Sequence, residues 1–102
     1  MFLEVYERGQ RVHSAYFVVF GLAGGAGRSR LGITATKKFG HSVARNRIKR
    51  IVREIFRNHR AAADAPVDVV VNVKGNARDQ SFARLEADLV ARLKELRRRL
   101  GA

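Results

Sequence analysis

The sequence contains no cysteine and no tryptophan, and Pro66 is its only proline. Without cysteine there can be no disulfide and no thiolate metal site, a usage that suits a cytoplasmic protein. Acids are scarce, 9 Asp and Glu against 21 Lys and Arg, which leaves a formal net charge of +12 on 102 residues. No apolar run is long enough to span a bilayer, and the opening MFLEVYERGQ lacks the layout of a signal peptide. What is present is enough to fold. Hydrophobic residues make up 46% of the chain, so residues 1–102 read as a single domain with one small core. So large a basic surplus calls for a polyanionic partner, and nucleic acid and an anionic membrane surface are the two candidates. With no membrane span, the chain reads as a soluble, intracellular nucleic-acid binder with no membrane partner.

Catalytic chemistry of its own is hard to find. His13, His41 and His59 are scattered, without the spacing of metal ligands. Asp64 and Asp68 could form a Mg²⁺ pair, but they flank Pro66 in an expected turn, where acids are ordinary. No Ser, Thr or Lys has a base placed beside it. If catalysis is associated with this chain, a partner should perform it, so no catalytic residue, metal site or cofactor is expected on the protein itself.

The elements follow from periodicity. Phe2 to Arg8 reads as a short helix ended by Gly9, and Val12 to Phe20 as a β-branched and aromatic strand ended by Gly21. Residues 21–27 form a glycine-rich connection with no phosphate-binding pattern. Arg30 to Lys37 alternates Leu31, Ile33 and Ala35 with Gly32, Thr34 and Thr36, which predicts a strand with one apolar and one small, hydroxylated face. Ser42 is the expected N-cap of a helix running to His59. Val67 to Val73 is nearly all apolar and should be a central strand. Ser81 should cap a last helix with Phe82, Leu85, Leu89, Leu93, Leu96 and Leu100 as its stripe. The order is α-β-β-α-β-α, a two-layer α+β sandwich containing a β-α-β crossover.

The helix after Ser42 carries the clearest functional signal. Ala44, Ile48, Ile51, Val52, Ile55 and Phe56 share one side, and Asn46, Arg50, Arg53 and Arg57 share the other. Arg45, Lys49 and Arg53 follow at i, i+4 and i+8 as a basic shoulder. Like charges at this spacing repel, and Glu54 is the one acid among them. An ordinary surface helix alternates signs, whereas a one-sided row is the footprint of a phosphate partner.

Residues 32–57, GITATKKFGHSVARNRIKRIVREIFR, resemble the protein subunit of bacterial ribonuclease P. A small-residue strand, a Lys-Lys turn and an Arg-Asn-Arg helix followed by Lys-Arg make up that family's signature, and Arg45-Asn46-Arg47-Ile48-Lys49-Arg50 reproduces it without a gap. Similarity extends to FLEVYERGQR, AYFVVF, VDVVVNVK and SFARLEADL, so it covers essentially the whole chain. The resemblance implies a ribonucleoprotein that removes the 5′ leader of precursor tRNA, with catalytic Mg²⁺ held by the RNA subunit. It also implies an α-β sandwich with a left-handed crossover, against the general right-handed rule. Arg45, Asn46, Arg47, Lys49, Arg50 and Arg53 would face the catalytic ribonuclease P RNA. Phe2, Tyr6, Phe20, Thr34, Thr36, Lys37 and Lys38 would hold the single-stranded leader. A leader of variable sequence needs stacking surfaces and phosphate contacts rather than base-edge readout. Two features depart from the family pattern: a basic arm usually precedes the first helix, and serine is common where Thr34 and Thr36 stand.

Three other readings compete. A ribosomal-type or generic RNA-binding protein would share the charge but leave precursor tRNA processing untouched. A DNA-binding protein would use residues 42–60 as a recognition helix, but such a helix normally follows another helix, and here it follows a strand; no DNA partner is therefore expected. A protein-only nuclease would need an acidic cluster for its metals, which the sequence lacks.

Overall fold

The computed structural model describes residues 2–24, 29–59 and 67–101. In chain order the elements are α1 (Phe2–Arg8), β1 (Gln10–His13), β2 (Phe17–Ala23), β3 (Arg30–Thr34), α2 (Ser42–Asn58), β4 (Val67–Val73) and α3 (Phe82–Arg99), with a 3-10 turn at Gly75–Ala77 before α3. The strands form one sheet in the order β1-β2-β4-β3. As expected of a segment apolar except at Asp68 and Asn72, β4 is central, antiparallel to β2 and parallel to β3. Parallel neighbours need a crossover, and α2 supplies it. The two-layer α+β architecture expected from the sequence is therefore present, with one strand more.

The extra strand comes from Ser14. Val12 to Phe20 is not continuous, because residues 14–16 turn the chain and β1 pairs back on β2 with Val12 opposite Val19. The Ser14 hydroxyl accepts from the backbone N–H of Tyr16 at 3.2 Å and of Phe17 at 3.3 Å, and donates to Asp88 of α3 at 2.5 Å. A serine that bonds its own downstream backbone offers an alternative to the ladder, so the turn forms without glycine or proline.

Two boundaries also differ. β3 ends at Thr34 rather than Lys37, since the Phe39 N–H turns back to the Thr36 carbonyl at 2.9 Å and Phe39 buries its ring. His41, not Ser42, is the N-cap residue of α2, and it makes no side-chain capping bond. Ser81 does cap α3, accepting from the Arg84 N–H. Along α3, Leu85, Leu89 and Leu96 are buried, but Phe82 at the head of the stripe is exposed. Asp64 and Pro66 lie outside the described residues, as do residues 25–27 of the expected glycine-rich connection, whose first residues, Gly21 to Ala23, instead extend β2 along β4.

The two sheet faces have different company. On the inner face Val12, Phe17, Val19, Val69, Val71 and Val73 pack with Ile48, Val52 and Ile55 of α2 and with the three buried leucines of α3. Each such side chain taken fully out of water contributes about 1.5–3 kcal/mol, which is what anchors α2 and α3. Gly21 is buried beneath α3, and a Cβ there would meet the Leu96 side chain at 2.3 Å. The outer face carries Phe20, Val70, Asn72, Gly32 and Thr34, and α1 lies across it with Val5 buried. No helix among the described residues is long and apolar enough to cross a membrane.

Candidate nucleic-acid interface

Packing of Ile48, Val52 and Ile55 against the sheet fixes the rotation of α2. That rotation leaves Asn46, Arg47, Arg50 and Arg53 exposed, with Arg45 and Lys49 half-buried along the shoulder. Among the described residues no salt bridge reaches any of these cations, and the buried Arg45 Nε has no hydrogen-bond partner. Three acids are engaged elsewhere: Asp68 with Arg30, Glu86 with His59, and Glu95 with Arg92 and Arg99. Beside β3 the row borders a depression of about 590 Å³ lined by Leu31, Phe56, Arg50, Arg53, Arg57 and Glu54. Both the shoulder and the outward row therefore stand as the sequence places them, a band of positive charge with Glu54 as its one acid and, among the described residues, no ion pair to it.

A second surface forms on the outer sheet face. Phe2 and Tyr6, one helical turn apart on α1, meet edge to face with ring centroids 6.4 Å apart. Tyr6 in turn meets Phe20 of β2 edge to face at 4.7 Å. The Tyr6 hydroxyl donates to Asn72 Oδ1 at 3.0 Å, and the Thr34 hydroxyl donates to the same oxygen at 2.6 Å. Asn72 lies opposite Val18 on one side and Thr34 on the other, so the sheet register brings this group together. Because its oxygen accepts twice, the Asn72 amide N–H groups remain to donate outward. Phe2 is 40% and Tyr6 37% exposed, and Phe20 is half-buried. The result is an open aromatic shelf rather than a closed core.

Of the seven residues assigned to a leader, Phe2, Tyr6, Phe20 and Thr34 converge here. Thr36, Lys37 and Lys38 are exposed in the turn after β3, and among the described residues no hydrogen bond or ring contact joins them to the shelf. Two members are absent from the sequence reading. Asn72 was legible as a polar break in an apolar strand, four residues from Asp68 and so on the same face. Gly32 is the other: a Cβ on it would lie 2.0 Å from the Phe2 ring, so only glycine lets that ring settle over β3.

The same face ends in an ion pair. Arg30 Nε donates to Asp68 Oδ1 at 2.9 Å and Nη2 to Oδ2 at 2.6 Å, while Asp68 is nearly buried. These hydrogen bonds from Arg30 hold the Asp68 carboxyl below the usual carboxylate range, against the opposing effect of burial. Among the described residues no three His, Asp or Glu side chains gather into a metal-ligating group.

Residues 1–97 match the ribonuclease P family. The ribonuclease P protein component of Desulfatibacillum aliphaticivorans is 51% identical over 89 residues, covering 86% of this chain and 75% of that protein. Its counterpart in Desulfovibrio desulfuricans is 37% identical over 103 residues, covering 97% and 79%. Among solved structures, the RNase P protein of Thermotoga maritima superposes with a TM-score of 0.86 at 34% identity, covering 92% of this chain and 89% of that one. The RNase P protein of Staphylococcus aureus superposes at 0.83 with 33% identity, covering 91% and 85%.

Proposed function

This chain belongs to the ribonuclease P protein family, and from that premise we propose how its two surfaces divide the work of maturing precursor tRNA. The α2 face, with Arg45, Asn46, Arg47, Lys49, Arg50 and Arg53, binds the ribonuclease P RNA through its phosphates. The shelf of Phe2, Tyr6, Phe20, Thr34 and Asn72 receives the single-stranded 5′ leader, and Thr36, Lys37 and Lys38 meet its phosphates from the adjoining turn. The RNA subunit supplies the Mg²⁺-dependent hydrolysis. The protein contributes affinity and position and lends no nucleophile, base or metal ligand.

The observation that carries this reading is the partly exposed aromatic group on the outer sheet face, held in place by one asparagine. Rings offered edge to face leave surfaces on which bases of any sequence can stack. Such stacking needs unpaired bases, because bases within a duplex are already stacked. A leader fits that demand and mature tRNA does not present one. The α2 band supports the other half, since cations not held in ion pairs can neutralise the phosphates of a polyanion and release its condensed counterions.

The test is cleavage of precursor tRNA at low Mg²⁺ by a ribonuclease P RNA, with and without this chain. The reading expects strong stimulation by the protein and no cleavage by the protein alone. Equal rates with and without protein would favour a generic RNA binder, and cleavage by RNA-free protein would overturn the division of labour.

A further inference from the structure

A pocket of about 380 Å³ lies between the start of α2 and the turn that leads into α3. Its apolar lining includes the buried Phe39, the half-buried Ile51, and Val43. Val43 is 80% exposed although it is a large aliphatic residue in the first turn of the helix. Arg47, Arg78 and Asp79 contribute charged groups to the lining. Both arginines are exposed, and neither makes a hydrogen bond or ion pair among the described residues. The Arg78 guanidinium lies against the backbone of Gly40, its Cζ 3.6 Å from where a Cβ would stand.

From this arrangement we propose that the pocket accepts one unpaired nucleotide of the catalytic RNA, a proposal that rests on α2 facing that RNA. The volume lies at the small end of ordinary ligand sites, suited to a single flat ring system. Apolar walls take the faces of a base, which phosphate alone would not need. Two unpaired arginines take the flanking phosphates, and guanidinium planes also stack on splayed-out bases. Asp79 offers an acceptor to an exocyclic amine. Arg47 belongs at once to the pocket and to the basic band on α2, so the two surfaces are continuous. An RNA lying along α2 would pass over the opening. Arg78 is on a different element from the Arg-Asn-Arg run and would extend the contact beyond it.

The experiment replaces Val43 with a benzophenone-bearing residue, assembles the protein with ribonuclease P RNA, and maps the photo-crosslink. A crosslink to one unpaired nucleotide is expected. Arg78→Ala should weaken RNA binding about tenfold, the loss of a charge-assisted hydrogen bond, without changing the melting temperature. Val43→Glu should weaken it as well. Deleting the mapped nucleotide should weaken the wild-type protein equally and make both variants bind as wild type does. Crosslinks into a duplex or to no RNA, or variants still impaired on the deleted RNA, would overturn the proposal. If the wild-type protein stimulates cleavage while these results appear, the pocket assignment alone fails. If it neither binds nor stimulates the RNA, the family role fails with it.

Discussion

Tyr6 and Asn72 are joined by a 3.0 Å hydrogen bond that ties the first helix to the central strand. Thr34 shares the same acceptor from the neighbouring strand at 2.6 Å. One side chain thus holds an aromatic ring from α1 and a hydroxyl from β3 in fixed relation. Asn72→Leu keeps the size but removes the acceptor, so Tyr6 should lose its anchor. Affinity of the assembled enzyme for precursor tRNA should fall several-fold, on the order of one lost hydrogen bond. Equilibrium binding of precursor and mature tRNA measures this, and only the first should change.

Gly32 sets a second, purely steric requirement. Gly32→Ala places a methyl carbon within the Phe2 ring, which must swing off β3. Phe2 sits at the start of α1 and is already 40% exposed, so the melting temperature should drop little. Leader affinity should fall as far as in Phe2→Ala, and the double variant should be no worse than either single one. Additive losses would show that the ring and the glycine act separately.

The Arg30–Asp68 pair predicts a pH dependence with a definite sign. Asp68 has its pKa lowered in the fold, by the Arg30 hydrogen bonds first. Its contribution is therefore fully present above the unfolded carboxylate value of about 3.9, and it is lost as pH falls through the depressed folded value. The melting-temperature gap between wild type and Asp68→Asn should hold steady from neutral pH to about pH 5 and close only in stronger acid. At neutral pH, Arg30→Ala should destabilise more than Asp68→Asn. The first strands a nearly buried carboxylate, whereas the second leaves a half-exposed guanidinium that water can solvate.

On α2 the test is salt. Replacing Arg45, Arg50 and Arg53 by alanine should weaken binding to ribonuclease P RNA and flatten its dependence on salt. Each phosphate contact removed should lower the log–log slope by about 0.7 to 0.9. An unchanged slope would mean that this face points away from the RNA.

Elements with long, unambiguous periods are legible without coordinates. The apolar stripe of α2 predicts which side meets the sheet, and therefore where Arg50 and Arg53 point. The apolar run of β4 predicts a central strand. Ser14 is not legible, because a serine turn between two β-prone segments leaves the composition unchanged on either side. The aromatic shelf is legible only through family resemblance. Tyr6 and Phe20 meet because α1 folds across the sheet, and neither local propensity nor spacing encodes that contact. Asn72 joins them by register across strands far apart in sequence, the kind of information that a single strand's pattern does not hold.

The central claim is that the aromatic shelf holds the leader, and a comparison of two ligands tests it most directly. Tyr6→Ala and Phe20→Ala, each confirmed to be folded by its melting curve, would be assembled with ribonuclease P RNA. Their affinities for precursor and mature tRNA would then be measured side by side. Loss of a base stack costs about 1–3 kcal/mol, so precursor binding should weaken by about fivefold to about a hundredfold. Mature tRNA, which has no leader, should bind almost as before. Equal weakening of both ligands by folded variants would contradict the account.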